Sequence, residues 1–163
     1  MEPKRLGLDV GNVLVMATQQ EALQDDFLLR KPTDNAFETI ASLVQEKIFE
    51  PENIFIISAC GPDTEQKTKQ WFRHHRIFHR VGIRSKNWYF VRHRSDKAPV
   101  CRALGITHFV DDRLDVLDNI HRESPRTKLF AFNPRSMMMS LAQWQYITVV
   151  NNFVELEAKL KTA

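Results

Sequence analysis

Six short apolar runs punctuate this chain: LGLDV (6–10), NIFIIS (53–58), WYFV (88–91), HFVDD (108–112), KLFAF (128–132) and YITVV (146–150). Each is too short for an ordinary helix and is rich in β-branched or aromatic residues, so each reads as a strand. Helical patterns fill the intervals between them. A chain in which strand and helix alternate from end to end builds a mostly parallel sheet covered on both faces, and such strands read as continuous apolar runs. The expected fold is therefore α/β, a three-layer αβα Rossmann-like sandwich around a mostly parallel central sheet.

The helical intervals have recognisable ends. Asn35 to Glu46 carries Ala36, Phe37, Ile40, Leu43 and Val44 at helical spacing after the candidate caps Thr33 and Asp34. Asp63 to His75 follows Pro62 and presents a polar face. Ala98 to Leu104 is closed by Gly105, and Arg113 to Arg122 turns Leu114, Leu117 and Ile120 inward. Asn152 to Leu160 ends the pattern with Phe153, Leu156 and Leu160 on one side. At 163 residues the chain fits one domain, residues 1–163, able to bury about two thirds of its unfolded surface. The triplet Met137 to Met139 reads as a flexible packing element.

Composition excludes several classes. Apolar residues make up 43% and charged residues 26%, the balance of a soluble globular protein. No apolar run reaches the roughly 18 residues of a spanning helix, and the start lacks the small-residue cleavage site of a signal peptide, so a cytoplasmic protein without membrane contact is expected. Cys60 and Cys101 have no zinc-site spacing and read as reduced, structural thiols. The net charge of +3 conceals an asymmetry. Residues 67–102 hold eleven Lys and Arg against Asp96 alone, a segment of +10, while the rest, with 12 basic and 19 acidic residues, is −7. That block is either a solvated face or a surface for a polyanion.

In open α/β sheets ligands bind beyond the carboxyl ends of the strands. The rule selects Asp9 after the first run, Ser58 after the second, and Asp111 and Asp112 after the fourth. Any one of them alone is an ordinary turn or cap residue. Several carboxylates and a hydroxyl at successive strand-to-helix transitions, with Lys97 opening a helix just before the fourth strand, form a candidate constellation.

LGLDVGNVLV, IFIISA, Lys97 and HFVDDRLDVL, in that order, resemble the four motifs of the haloacid dehalogenase-like (HAD) hydrolase superfamily, and the resemblance spans the chain. It implies that Asp9 is a nucleophile forming an aspartyl-phosphate, since covalent catalysis divides one difficult displacement into two easier ones. It implies that Ser58, with the backbone N–H groups of Ala59 and Cys60, binds phosphoryl oxygens, and that Lys97 neutralises the repulsion between carboxylate and phosphate. It implies Mg²⁺ held by Asp9, the carbonyl of Gly11, Asp111 and Asp112. The fourth motif fits in two ways, through Asp111 with Asp112 or through Asp111 with Asp115. Asp112 and Asp115 also suit capping of the following helix.

One position departs from the superfamily pattern. Most of its phosphatases carry an aspartate two residues after the nucleophile as general acid and base, and here that residue is Gly11. Such assistance contributes about 10²–10⁴-fold in rate. Another carboxylate or a histidine could supply the proton, although His74, His75, His79 and His93 lie in the basic block and read as surface or structural. Dehalogenase members also lack the second aspartate and work on carbon without metal, but Asp111 and Asp112 argue against that chemistry.

The intervals around the first and second motifs are too short for a folded cap. An open, capless site is associated in this superfamily with macromolecular substrates or with a neighbouring subunit as lid, which makes a homo-oligomer one expectation. The sequence reading is a Mg²⁺-dependent phosphohydrolase acting on a phosphorylated small molecule, a nucleotide or a macromolecule. The alternatives are a catalytically weakened protein that binds phosphate, metal or a partner, and a module that binds nucleic acid through residues 67–102. In that module RHHRIFHR, Trp88 and Tyr89 would join charge to rings, although Trp71, Phe72, Trp88, Tyr89 and Phe90 equally read as core.

Overall fold

The computed structural model describes residues 2–16, 27–136 and 138–163. Six strands, β1 (Leu6–Leu8), β2 (Ile54–Ala59), β3 (Trp88–Val91), β4 (His108–Asp111), β5 (Lys128–Phe132) and β6 (Ile147–Val150), form one sheet in the order β3-β2-β1-β4-β5-β6. All five pairings are parallel. Parallel neighbours demand crossover connections, and helices supply them: α1 (Ala36–Gln45), α2 (Pro62–His74), α3 (Ile77–Val81), α4 (Lys97–Leu104), α5 (Leu114–Glu123), α6 (Leu141–Tyr146) and α7 (Phe153–Thr162).

Each face of the sheet has its own apolar layer. On one, Leu6, Leu8, Ile54, Ile56, Val110 and Phe130 pack beneath Phe37 and Ile40 of α1, Trp71 and Phe72 of α2, and Phe153 and Leu156 of α7. On the other, Phe55, Ile57, Phe109 and Leu129 meet Ala98 and Cys101 of α4 and Val116, Leu117 and Ile120 of α5. The architecture is an αβα sandwich of Rossmann type. β1 lies in the middle, paired with β2 on one side and β4 on the other, and the winding direction reverses between β1 and β4. That reversal opens a crevice at the carboxyl ends of the two strands.

Gly7 fits β1 into this crowded centre. A Cβ there would stand 2.5 Å from Cδ2 of Phe109 on the neighbouring strand, so the glycine makes room for the ring. At the free edge of the sheet, β3 is half-buried along its length.

Several boundaries differ from the sequence pattern. β1 ends at Leu8, although Asp9 N–H still donates to Val110 O at 3.1 Å and prolongs the ladder by one bond. Neither Thr33 nor Asp34 caps α1. The helix starts after Asn35, which adopts a left-handed conformation at φ 64°, and Thr33 is drawn away to donate its hydroxyl to Val13 O at 2.5 Å. Neither Asp112 nor Asp115 caps α5, which begins after the extended residue Arg113 with no side-chain cap. Two helices carried no sequence expectation, α3 and α6, because five and six residues are too few to display a helical period. For α6 a usable signal was present: Ser140 and Gln143 form a capping box. In the methionine triplet, Met137 lies outside the described residues, Met138 is exposed and Met139 packs against the core.

Candidate active site

The residue order Asp9-Val10-Gly11-Asn12 ends β1 in a tight turn. Val10 O accepts N–H groups from Val13, Leu14 and Val15, and Asn12 adopts a left-handed φ of 61°, a conformation that asparagine tolerates better than most residues. The turn is pinned by Val13, Leu14 and Val15, all buried, and by the Thr33 bond to Val13 O. Asp9 is thereby fixed at the carboxyl end of the central strand with its side chain nearly buried. One pleat away across the switch point, Asp111 ends β4 and is fully buried.

Lys97 joins them. As the first residue of α4 it reaches down between the two strands, and its ammonium donates to Asp9 Oδ1 at 2.9 Å and to Asp111 Oδ2 at 2.7 Å. The other Asp111 oxygen accepts the Arg113 N–H at 3.0 Å, which shapes the turn between β4 and α5. Carboxylate oxygens of Asp9, Asp111 and Asp112 all lie within 4.8 Å of one another. Among the described residues this is the one cluster of metal-ligating side chains of this kind.

Burial and mutual repulsion dominate the electrostatics. Burial pushes Asp9 above the usual carboxylate range, and the Lys97 ammonium opposes this. Asp111 is pushed well above its ordinary value, first by burial and then by the Asp9 carboxylate. Burial by itself would lower Lys97, but the charges of Asp9 and Asp111 overcome it and raise the ammonium pKa. One cation therefore faces three carboxylates in a poorly solvated space, an arrangement that favours a further cation.

Asp9, Asp112 and Lys97 line an open cavity of about 530 Å³, within the range of roughly 300–1,000 Å³ typical of small-molecule sites, and Asp111 lies buried behind them. Of the residues singled out from sequence, Asp9, Gly11, Ser58, Ala59, Cys60, Lys97, Asp112 and Asp115 all line it. Ser58 is buried at the end of β2. The expectation for Cys60 needs correction: its backbone N–H donates to Val91 O at 2.9 Å, continuing the β2–β3 ladder, and so does not offer itself to a phosphate. Its thiol, half-buried, is pushed up by burial, with the Glu65 carboxylate adding to the effect. Asp115 accepts Nε and Nη2 of Arg113 at 3.1 and 3.2 Å, and that hydrogen-bonded pair holds its carboxyl below the ordinary range.

Gly11 is exposed, and a Cβ built on it meets nothing within 4 Å. Its lack of a side chain is not demanded by packing. None of the histidines lines the cavity. Other lining residues were not among the site candidates of the sequence: Phe27, Arg30 and Arg135, together with Arg94 of the basic block and Arg113 of the fourth motif. Arg135 follows β5, so the rule about strand carboxyl ends applied to it as it did to Asp9. Arg30 and Phe27 had no such signal. The basic block divides, with Arg94 and Lys97 on the cavity and Arg92 donating to Cys60 O and Glu65, while Lys69, Arg73, Arg80 and Arg84 lie over the rings of Phe90, Trp88, Phe37 and Phe78. No helix among the described residues is long and apolar enough to cross a membrane.

No protein-family model matches the chain, and no curated protein matches it. Among solved structures it is similar to a de novo designed Rossmann 3x3 fold protein determined by solution NMR, at 10% identity over 98% of this chain and 93% of that one, with a TM-score of 0.49.

Proposed function

We propose that the protein is a phosphohydrolase of HAD-like type that transfers a phosphoryl group from an ester to Asp9 and then to water. The observation that carries this reading is the Lys97 ammonium bonded to both Asp9 and Asp111 at the switch point, opening onto the cavity. A lysine so placed cancels the repulsion that would keep a phosphate from a carboxylate, and the carboxylate remains within reach of the ligand.

In the first step an Asp9 oxygen attacks phosphorus, the bond from phosphorus to the ester oxygen breaks, and the departing alkoxide takes a proton. In the second, water attacks phosphorus, the aspartyl–phosphate bond breaks, and inorganic phosphate leaves with Asp9 restored. Ser58 Oγ would donate to a phosphoryl oxygen, and Lys97 would hold the nucleophile in place while offsetting charge. The oxygen donor set of Asp9, Asp111 and Asp112, supplemented by the Gly11 carbonyl, suits a hard divalent cation, and Mg²⁺ there would neutralise phosphoryl charge as it accumulates. With glycine at position 11, the leaving group takes its proton from solvent. Esters with good leaving groups should therefore react fastest.

The absence of a carboxylate at Gly11 also favours a second reading, a phosphate- or metal-binding protein with little turnover. Phosphate release from a panel of phosphate esters with Mg²⁺, comparing the parent with Asp9→Asn, separates the two. Turnover that vanishes with Asp9→Asn supports the hydrolase; metal-independent turnover, or none on any ester, removes it.

A further inference from the structure

The cavity is lined by arginines that its own carboxylates do not pair. Lys97 is spent between Asp9 and Asp111, and Arg113 on Asp115. Arg30, Arg94 and Arg135 remain, contributed by three separate segments, and among the described residues none of them has a carboxylate within ion-pairing distance. Among the described residues Arg30 has no anionic partner. Its guanidinium lies over the Phe27 ring at 4.7 Å, its carbonyl accepts the buried Trp71 indole N–H at 2.8 Å, and its Nε is buried without a hydrogen-bond partner. A buried guanidinium N–H left unpaired is costly, and Arg30 bears that cost at the wall of the cavity. A planar fork of donors is suited to phosphate oxygens.

Resting on the reading of Asp9 as phosphoryl acceptor, we propose that the substrate is a phosphate ester carrying a second phosphate, which Arg30 and Arg135 bind while the first lies over Asp9, Ser58 and Lys97. Arg94 adds positive charge at the rim. The floor thus takes the phosphoryl group to be transferred and the rim takes the one that stays. The same chemistry could come from a free bisphosphorylated metabolite or from the phosphorylated end of a nucleic-acid strand.

The test is a binding measurement on the Asp9→Asn protein with Mg²⁺ present, so that no probe turns over. A nucleoside 5′-monophosphate, the matching 3′,5′-bisphosphate and a short 5′-phosphorylated oligonucleotide are compared by calorimetry. The bisphosphate should bind about tenfold or more tightly than the monophosphate, the increment expected of a charge-assisted pair. Adding Arg30→Gln and Arg135→Gln together should bring that ratio to about one, and Arg135→Gln alone, at an exposed position, should lower it without risk to the fold. Tighter binding of the oligonucleotide than of the bisphosphate identifies a nucleic-acid end as the source; the reverse identifies a free bisphosphate. Equal affinity for mono- and bisphosphate, or a preference that survives the double arginine substitution, overturns the proposal. Because binding is read without turnover, a parent protein that prefers the bisphosphate but hydrolyses nothing would refute the phosphohydrolase and leave the second-phosphate site standing.

Discussion

Replacing Lys97 by methionine tests the electrostatic arrangement at the floor of the site. The change removes an ammonium that is 3% exposed and deletes two charge-assisted hydrogen bonds, to Asp9 at 2.9 Å and to Asp111 at 2.7 Å. It leaves a nearly buried and a fully buried carboxylate facing each other with Asp112 beside them. Stripping one partner from a buried ion pair costs about 3–5 kcal/mol, because the remaining charge is neither solvated nor paired. Against a typical total of about 5–15 kcal/mol this is a large fraction, so the variant should be assayed by urea unfolding at low temperature near the stability maximum.

The pH dependence supplies the sign. In the variant Asp9 and Asp111 keep the influences that raise their pKa values, burial and mutual repulsion, and lose the one that lowers them. A group whose folded pKa lies above its unfolded value binds more protons in the folded state, so its penalty is present at high pH and relieved as pH falls through the folded pKa. The deficit of Lys97→Met relative to the parent should thus be greatest at high pH and shrink as pH falls through the raised carboxylate pKa values. Mg²⁺ bound at the cluster as proposed should stabilise the variant by about 2.7 kcal/mol at a hundred times its dissociation constant, relative to the variant without metal. A variant as stable as its parent at pH 7, or a deficit that does not vary with pH, would refute the reasoning.

Three further outcomes follow from particular contacts. Gly11→Asp places a carboxylate where a Cβ meets nothing within 4 Å, so it should fold normally and raise turnover by about 10²–10⁴-fold, more for alkyl than for aryl esters, in a leaving-group series. Gly7→Ala forces a methyl group against the Phe109 ring at 2.5 Å and should cost about 1–3 kcal/mol in chemical denaturation, much of it recovered by adding Phe109→Leu. His108 is buried edge-on to Phe49 at 5.3 Å and stacked near Phe130; burial, with the Lys128 charge adding to it, pushes its pKa down to about 4. The unfolded chain takes up that proton near pH 6.5 and the folded one does not, so His108 withdraws up to about 3 kcal/mol of stability as pH falls from 6.5 to 4. His108→Gln should gain on the parent over that interval, as measured by unfolding midpoints across the range.

What could be seen in the sequence divides along physical lines. The sheet was legible because a strand buried on both faces must be apolar throughout, as β5 is after Lys128, and even the half-buried edge strand β3 begins and ends where its apolar run does. The layering followed, since parallel strands require helices to return. Boundaries at turns were less legible, because competition among nearby polar groups decides them: Thr33 could cap a helix or bind Val13 O, and only the fold determines that it does the latter. Among the candidate site residues, those tied to strand ends were accessible through topology. Arg30 was not, since its relation to the cavity depends on a long-range bond from Trp71 and on the Phe27 ring beneath it.

The charges of the site form two layers, and the layers constrain each other. The floor holds Asp9, Asp111 and Asp112 with one lysine, an excess of negative charge in a place where burial makes that excess expensive. The rim holds arginines whose charge is only partly matched, by Asp115. A cation alone would satisfy the floor and repel the rim, and an anion alone would do the opposite. On the proposed reading, a phosphate ester entering with a divalent cation would meet both requirements, since Asp9, Asp111 and Asp112 would hold the cation and Lys97 and the arginines the phosphate oxygens. Binding of either component should therefore strengthen binding of the other, and by linkage the two enhancements must be equal. Gly11 lines the same cavity, where it leaves space without adding a further carboxylate to those already there.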